Sequence, residues 1–146
     1  MKIAIASDHA GFELKKQVSD WLKQQNHQTL DYGTFTSESV DYPDYAFPAS
    51  EAVSERIADF GILICGSGTG MAITANKVNG IRAAASYNTE IARLARSHNN
   101  ANVLCLGARM INFEIAKDII TIFLGTEFEA GRHTLRVEKI QLLTGR

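Results

Sequence analysis

The sequence predicts an α/β fold in which a parallel sheet of five strands is covered by helices on both faces. Short apolar runs recur along the chain, and longer segments with apolar residues spaced three and four apart separate them, as is typical of helices. Strands that alternate with helices form right-handed βαβ units and build a doubly wound sheet. We therefore expect one Rossmann-like or flavodoxin-like three-layer αβα domain over residues 1–146, closed by a C-terminal helix.

The individual elements follow from local patterns. Strands are predicted over 2–7, 28–31, 60–65, 82–86 and 103–106, and helices over 12–25, 43–56, 69–77, 89–97, 112–124 and 131–143. Pro43 suits the first turn of a helix, and Asn79-Gly80 suits the end of one. The expected strand order is 2-1-3-4-5. This order places the switch point of the sheet, where ligands bind in open α/β sheets, between strands one and three.

Composition excludes several classes of protein. The chain has 146 residues, of which 45% are hydrophobic and 21% charged, as in ordinary globular domains. Its net charge of −1 gives no general attraction to nucleic acid or anionic membranes. No apolar run approaches the roughly 20 residues of a membrane span, and the amino terminus lacks the architecture of a signal peptide. The two cysteines form neither a disulfide framework nor a metal pattern, so we expect a cytoplasmic protein without a metal.

The third strand ends in the most informative stretch of the chain. Cys65 closes an apolar run and is followed by Gly66-Ser67-Gly68-Thr69-Gly70. Glycines allow a ligand to approach the backbone, whose N–H groups can bind an anion, and a following helix N-terminus could stabilise a thiolate. The loop matches neither the P-loop nor the dinucleotide pattern. A lone strand cysteine is more often a core residue, which is our expectation for Cys105.

Polar residues follow two other strands at the same edge of the sheet. Asp8-His9 comes after the first strand and Arg109 after the fifth. Asp8 is also well placed to cap the next helix, which would explain it without a functional role. These positions nevertheless predict that polar groups gather around Cys65.

Two further groups lie near helix ends. His98-Asn99 closes the helix before strand five, where a histidine is favoured by the helix C-terminus and an asparagine by a turn. Arg132 and Arg136 are four residues apart, and hence on one face of a helix. Such a pair suits a phosphate, although pairing with nearby glutamates on a solvated face is the commoner use.

Taken together, these motifs resemble those of type B ribose-5-phosphate isomerases over nearly the whole chain. The matching segments are Ser7-Asp8-His9-Ala10-Gly11, Asp41-Tyr42-Pro43, Ile64-Cys65-Gly66-Ser67-Gly68-Thr69-Gly70, Ala75-Asn76-Lys77, His98-Asn99, Gly107-Ala108-Arg109 and Gly131-Arg132-His133 with Arg136. The resemblance implies a cytoplasmic aldose–ketose isomerase of the non-oxidative pentose phosphate pathway that uses no metal or other cofactor. It also implies homodimers, often paired into tetramers, with active sites shared across the interface.

The resemblance also implies a role for each matching residue. Cys65 would be the base that moves the C2 proton, and His98 the acid–base group that opens the sugar ring. The substrate contacts would be Asp8, His9, Gly66, Ser67, Gly68, Thr69, Gly70, Asn99, Arg109, Arg132 and Arg136. Tyr42 would line the site. Met71 stands where a second branch of the family carries a glutamate base, and the presence of Cys65 agrees with the branch that uses a cysteine.

Three functions remain open from the sequence. The first is the isomerisation of ribose 5-phosphate and ribulose 5-phosphate through an enediolate. The second is the same reaction on a six-carbon sugar phosphate such as allose 6-phosphate or galactose 6-phosphate. The third is a module that binds a sugar phosphate without turnover, since a fold does not determine a function.

Overall fold

The computed structural model describes residues 1–145, in which strands and helices alternate along most of the chain. The strands are β1 (Lys2–Ser7), β2 (Gln28–Asp31), β3 (Phe60–Cys65), β4 (Ala83–Ala85) and β5 (Val103–Gly107). The helices are α1 (Phe12–Gln24), α2 (Pro43–Ser54), α3 (Thr69–Ala75), α4 (Thr89–Ser97), α5 (Phe113–Gly125) and α6 (Thr134–Thr144). The predicted α/β fold with a five-stranded parallel sheet and a C-terminal helix is confirmed.

The strand order differs from the prediction at one edge of the sheet. The observed order is β2-β1-β3-β5-β4, so the predicted order 2-1-3-4-5 is wrong for the last two strands. All five residues of β5 are buried, whereas β4 has only three residues, each half-buried. A short strand of small residues suits the edge of a sheet, while a fully apolar strand needs a neighbour on each side. The expected adjacency of β1 and β3 is confirmed.

Helices cover both faces of the sheet and divide the apolar core into two layers. One layer packs α1, α4 and α5 against the sheet and includes Phe123, whose ring meets Phe60 edge to face at 5.8 Å. The other layer packs α2 and α3 against the opposite face and includes Met71. Burying a large apolar side chain of this kind stabilises the fold by about 1.5 to 3 kcal/mol.

The C-terminal segment is the least integrated part of the fold. The predicted single helix over 131–143 is instead a 3₁₀ turn, Gly131–His133, followed by α6. No residue of α6 is buried, and Leu135, Leu142 and Leu143 are each at least 74% exposed. Within residues 1–145, none of the helices is both long enough and apolar enough to cross a membrane.

Candidate active site

Cys65 lies at the carboxyl edge of the sheet, where the glycine loop folds back over its thiol. The Gly68 N–H donates a hydrogen bond to Cys65 Sγ at 3.1 Å. This geometry requires a φ of 82° at Gly68, in the left-handed region that a residue with a Cβ rarely adopts. The thiol is 5% exposed and borders a cavity of about 310 Å³. A backbone donor therefore points at the sulfur beside an open space.

The loop after β1 lies against this cavity, as the adjacency of β1 and β3 requires. The Asp8 N–H donates to the carbonyl oxygen of Ile64 at 3.1 Å, and the Asp8 side chain lines the cavity. Asp8 Oδ1 also accepts the Gly11 N–H at 3.0 Å, so the carboxylate holds the turn before α1 and borders the cavity at the same time. A Cβ at Gly11 would lie 2.4 Å from the Ile64 carbonyl oxygen, so only glycine allows this close approach.

Arg109 reaches the cavity because β5 is the direct neighbour of β3. The Arg109 N–H donates to the Gly66 carbonyl oxygen at 3.1 Å, and a Cβ built on Gly66 would lie 3.3 Å from the Arg109 guanidinium. Under the predicted strand order, another strand would have separated Arg109 from Cys65. The cavity therefore combines a thiol, a carboxylate and a guanidinium with backbone donors.

Tyr42 and His9 also lie at the carboxyl edge of the sheet. The Tyr42 ring covers Gly70, where a Cβ would lie 2.7 Å from the ring, and it lines the cavity with Ser67 and Met110. His9 Nδ1 accepts the Val40 N–H at 3.2 Å. Because Nδ1 is an acceptor, the neutral ring carries its proton on Nε2 and presents a donor there.

Cys105 is a core residue, as predicted. It is fully buried, and this burial raises the pKa of its thiol well above the ordinary range, with the neighbouring Cys65 adding to the effect. A thiol that is held protonated in this way is a poor nucleophile and a poor base.

The remaining predicted site residues lie at the opposite edge of the sheet. His98 caps the C-terminus of α4, which runs antiparallel to the strands and ends beside their amino ends. Four residues further on, the Asn102 carbonyl oxygen accepts the Gly61 N–H at the start of β3. Because β3 has six residues and rises about 3.3 Å per residue, its two ends are separated by roughly 17 Å. His98 therefore does not border the Cys65 cavity of its own chain.

His98 belongs to a second cluster, which includes Glu129 and His133. The His98 and His133 rings stack with centroids 4.3 Å apart and planes inclined by 11°. Glu129 Oε2 lies 3.7 Å from His98 Nε2 and 4.0 Å from His133 Nε2. Burial, together with the positive charges of His98, Arg132 and Arg136, lowers the pKa of His133 below its ordinary value, and Glu129 opposes this shift.

Arg132 and Arg136 add two exposed cations to this second cluster. Arg132 lies in the 3₁₀ turn and Arg136 in the first turns of α6, so the two do not share one continuous α-helix as predicted. Both charges contribute to the lowered pKa of His133, which lies between them in the chain, so two exposed guanidinium groups lie on the surface beside this ring. Such a surface is suited to a phosphate group.

The second cluster is also the one group in residues 1–145 that offers three possible metal ligands, within 4.8 Å of one another. The sequence predicted no ligand cluster, so its existence is a finding of the structure. Its geometry does not favour a metal, because the lone pairs of two nearly parallel imidazole rings do not converge on one point. Arg132 and Arg136 would also repel a cation.

The structure thus brings together one part of the predicted site and separates it from the other. Asp8, Cys65, Gly66, Ser67, Gly70 and Arg109 surround one cavity, with Gly68 and Thr69 in the same loop. His98, Asn99, Arg132 and Arg136 lie outside it, and Asn99 lines a cavity of about 480 Å³ between α6 and the β4 edge. Reasoning from sequence missed Glu129 and His133, although His133 stands between the two predicted arginines.

Known proteins resemble this chain over nearly its whole length. The Ribose/Galactose Isomerase family model matches residues 3–140. Ribose-5-phosphate isomerase B of Escherichia coli is 44% identical over 145 residues, covering 99% of this chain and 97% of that protein. D-erythrulose-4-phosphate isomerase of Pectobacterium atrosepticum is 46% identical over 141 residues, covering 96% of this chain and 93% of that protein. The solved structure of Clostridium thermocellum ribose-5-phosphate isomerase B has a TM-score of 0.98 at 48% identity, covering 99% of this chain and 98% of that one. The chain therefore belongs to the ribose/galactose isomerase family and is a sugar-phosphate isomerase.

Proposed function

We propose that this enzyme interconverts ribose 5-phosphate and ribulose 5-phosphate, with Cys65 as the base. The observation that supports this proposal best is the Gly68 N–H directed at Cys65 Sγ inside a cavity that also contains Asp8 and Arg109. This N–H can donate a hydrogen bond to the sulfur of a thiolate, which is the form of cysteine that acts as a base.

The reaction requires proton transfers and no change in oxidation level overall. His98 assists ring opening by moving a proton from the O1 hydroxyl to the ring oxygen. Cys65 then removes the C2 proton, which leaves an enediolate, and returns a proton to C1 while the O2 hydroxyl proton passes to O1. Each preorganised N–H donor that faces the developing oxyanion contributes about 3 to 4 kcal/mol. Gly66, Ser67, Thr69 and Gly70 are the proposed source of these donors, while the Gly68 N–H faces Cys65 Sγ.

We further propose that the working unit is a homodimer, or a tetramer built from such dimers. The two clusters of proposed site residues lie at opposite edges of the sheet, so a complete site needs the Cys65 cluster of one protomer and the His98 cluster of its partner. The exposed leucines of α6 support this proposal, because apolar side chains on a helix with no buried residue are readily covered by a second copy. Dimers with two-fold symmetry are the commonest oligomers of soluble proteins.

The main alternative is the same reaction on a sugar phosphate with a different number of carbon atoms. The Pectobacterium relative is named for a four-carbon sugar phosphate, and the name of the matching family includes galactose. Both substrates would use the same thiol and the same anion loop. The alternatives therefore differ in the fit of the carbon chain between Cys65 and the phosphate-binding arginines.

Turnover of a substrate panel tests the proposal. Purified protein is incubated with ribose 5-phosphate, erythrulose 4-phosphate, allose 6-phosphate and galactose 6-phosphate, and the formation of the isomeric sugar is followed. We expect the highest kcat/KM for ribose 5-phosphate, with activity that survives prolonged chelation and dialysis. A higher kcat/KM for another sugar would reassign the substrate, and loss of activity that one divalent ion restores would contradict the metal-free mechanism.

A matched pair of cysteine variants tests the base. Cys65→Ala should lose nearly all turnover while it still binds sugar phosphate, whereas Cys105→Ala should keep most activity because that thiol lies in the core. Comparable activity in Cys65→Ala and the wild-type protein would refute the proposed role of Cys65.

A further inference from the structure

We infer that Tyr87 positions the anion loop by holding the Ser67–Gly68 peptide in the orientation that points its N–H at Cys65. Tyr87 follows β4 and lies outside all the motifs singled out in the sequence. Its hydroxyl group donates a hydrogen bond to the Ser67 carbonyl oxygen at 3.0 Å. The nitrogen of the same peptide unit, Gly68 N, donates to Cys65 Sγ at 3.1 Å. One peptide is therefore held at its oxygen by Tyr87 and presents its N–H to the thiol.

This peptide has two accessible orientations. Gly68 has φ 82° and ψ −19°, the values of the third residue of a type II turn. A flip of the Ser67–Gly68 peptide would convert the turn to type I, in which the third residue has φ near −90°. The flip would direct the Gly68 N–H away from Cys65 and turn the carbonyl oxygen of Ser67 toward it. The second orientation would destabilise a thiolate, because a carbonyl oxygen carries negative partial charge.

The surroundings show what holds the observed orientation. The carbonyl group of Ser67 lies against Gly107, where a Cβ would be 2.8 Å from its oxygen. Tyr87 supplies the hydrogen bond to that oxygen from β4, two strands away from Cys65 in the sheet. A hydrogen bond to a carbonyl oxygen also polarises the peptide and strengthens the N–H as a donor. Both effects favour the thiolate of Cys65.

The inference deepens the proposed function, because its effect on turnover rests on Cys65 being the base. The effect of Tyr87 on the reactivity of the Cys65 thiol does not depend on Cys65 being the base. The net value of an ordinary hydrogen bond corresponds to a roughly 2- to 12-fold shift in population between the two orientations. Removing the Tyr87 hydroxyl should therefore lower the ratio of active to flipped orientation by a factor in that range, and the fraction of reactive Cys65 by no more than that factor.

The experiment compares Tyr87→Phe with Tyr32→Phe, both in a Cys105→Ala background that leaves Cys65 as the one cysteine of the chain. Tyr32 follows β2 and belongs to none of the proposed site residues. Alkylation of Cys65 by iodoacetamide is measured as a function of pH, and kcat and KM for ribose 5-phosphate are measured separately. We expect Tyr87→Phe to move the alkylation profile to higher pH and to lower kcat by up to 12-fold with a smaller change in KM. Tyr32→Phe should change neither.

A coupling measurement separates peptide orientation from general loosening of the loop. Gly68→Ala disfavours the positive φ and so favours the flipped peptide by itself. In that background the remaining active fraction is proportional to the ratio of the two orientations, so adding Tyr87→Phe should lower alkylation by at least as large a factor as it does in the wild-type loop. A smaller effect of Tyr87→Phe in the Gly68→Ala background would overturn the inference.

The outcomes of the Tyr87→Phe measurement are also distinct from one another. An unchanged alkylation profile overturns the positioning role, whatever happens to kcat. A shifted alkylation profile with unchanged kcat confirms that Tyr87 positions the loop and refutes Cys65 as the base of the reaction.

Discussion

Two inactive variants that damage opposite edges of the sheet should restore activity when their chains are mixed. The perturbation pairs Cys65→Ala with His98→Asn. The strand between the two edges spans roughly 17 Å, so the wild-type copies of both residues can meet only across an interface between protomers. A mixed dimer contains one site with both residues intact and one site with neither.

The expected recovery follows from counting. Random exchange of equal amounts of two chains makes about half of all dimers mixed, and each has one intact site of two. The mixture should therefore show about a quarter of the activity of the wild-type protein at the same total protein concentration. The assay refolds the two variants together, verifies mixed dimers by pull-down with two affinity tags, and measures turnover of ribose 5-phosphate.

The matched control mixes Cys65→Ala with Arg109→Ala. Both residues border the same cavity, so each site of a mixed dimer contains one defect and no activity should return. If verified mixed dimers of the first pair remained inactive, the site would not be shared between protomers. Recovery in the control pair would equally contradict the proposed division of the site.

Three further outcomes follow from individual contacts. Arg136→Ala should weaken sugar-phosphate binding by about 1.5 to 3 kcal/mol, which would be measured as a raised KM. The melting temperature should not change, because the side chain is exposed. An unchanged KM would contradict a role in phosphate binding. The pKa of His133 is lower in the folded chain than in the unfolded chain, so protonation of this ring favours unfolding. The free energy of unfolding, measured by chemical denaturation, should therefore fall as pH drops below about 6.5, and it should fall less steeply in His133→Gln. An equally steep fall in the variant would contradict this assignment. Gly11→Ala should lower the free energy of unfolding by about 1 to 3 kcal/mol, because the added Cβ would lie 2.4 Å from a backbone carbonyl oxygen. The control is Gly125→Ala, whose added Cβ has no neighbouring atom within 4 Å. Equal stability of the two variants would refute the steric argument.

The local elements were predictable because their signals are local. The apolar run that ends at Cys65 and the glycines that follow it predict a buried strand and an anion loop, and the structure has both. The adjacency of β1 and β3 also followed, since the topology rules for α/β sheets favour it. The predicted ends of α2 and α3 each extended two residues beyond the observed ends, Ser54 and Ala75, because the last turns of helices carry weak sequence signals.

The order of β4 and β5 was not predictable, and the site depends on it. Both segments are short and apolar in sequence, and only the packed sheet distinguishes a fully buried strand from a half-buried edge. That choice brings Arg109 beside Cys65. It also places Tyr87, on the edge strand's loop, within reach of the Ser67 carbonyl oxygen.

The sequence by itself therefore determined the fold class, the buried thiol at a strand end and the family to which its motifs point. These depend on periodicity, on residue type and on spacing along one stretch of chain. Only the tertiary structure decided which of the motif residues share a cavity. It showed that Asp8, Cys65 and Arg109 converge, whereas His98 stacks on His133 at the other edge of the sheet. The reason is that helices run back along a parallel sheet, so the end of a helix and the end of the next strand lie at opposite edges. His98 and Arg109 are therefore at opposite edges of the sheet, although both are close in sequence to β5.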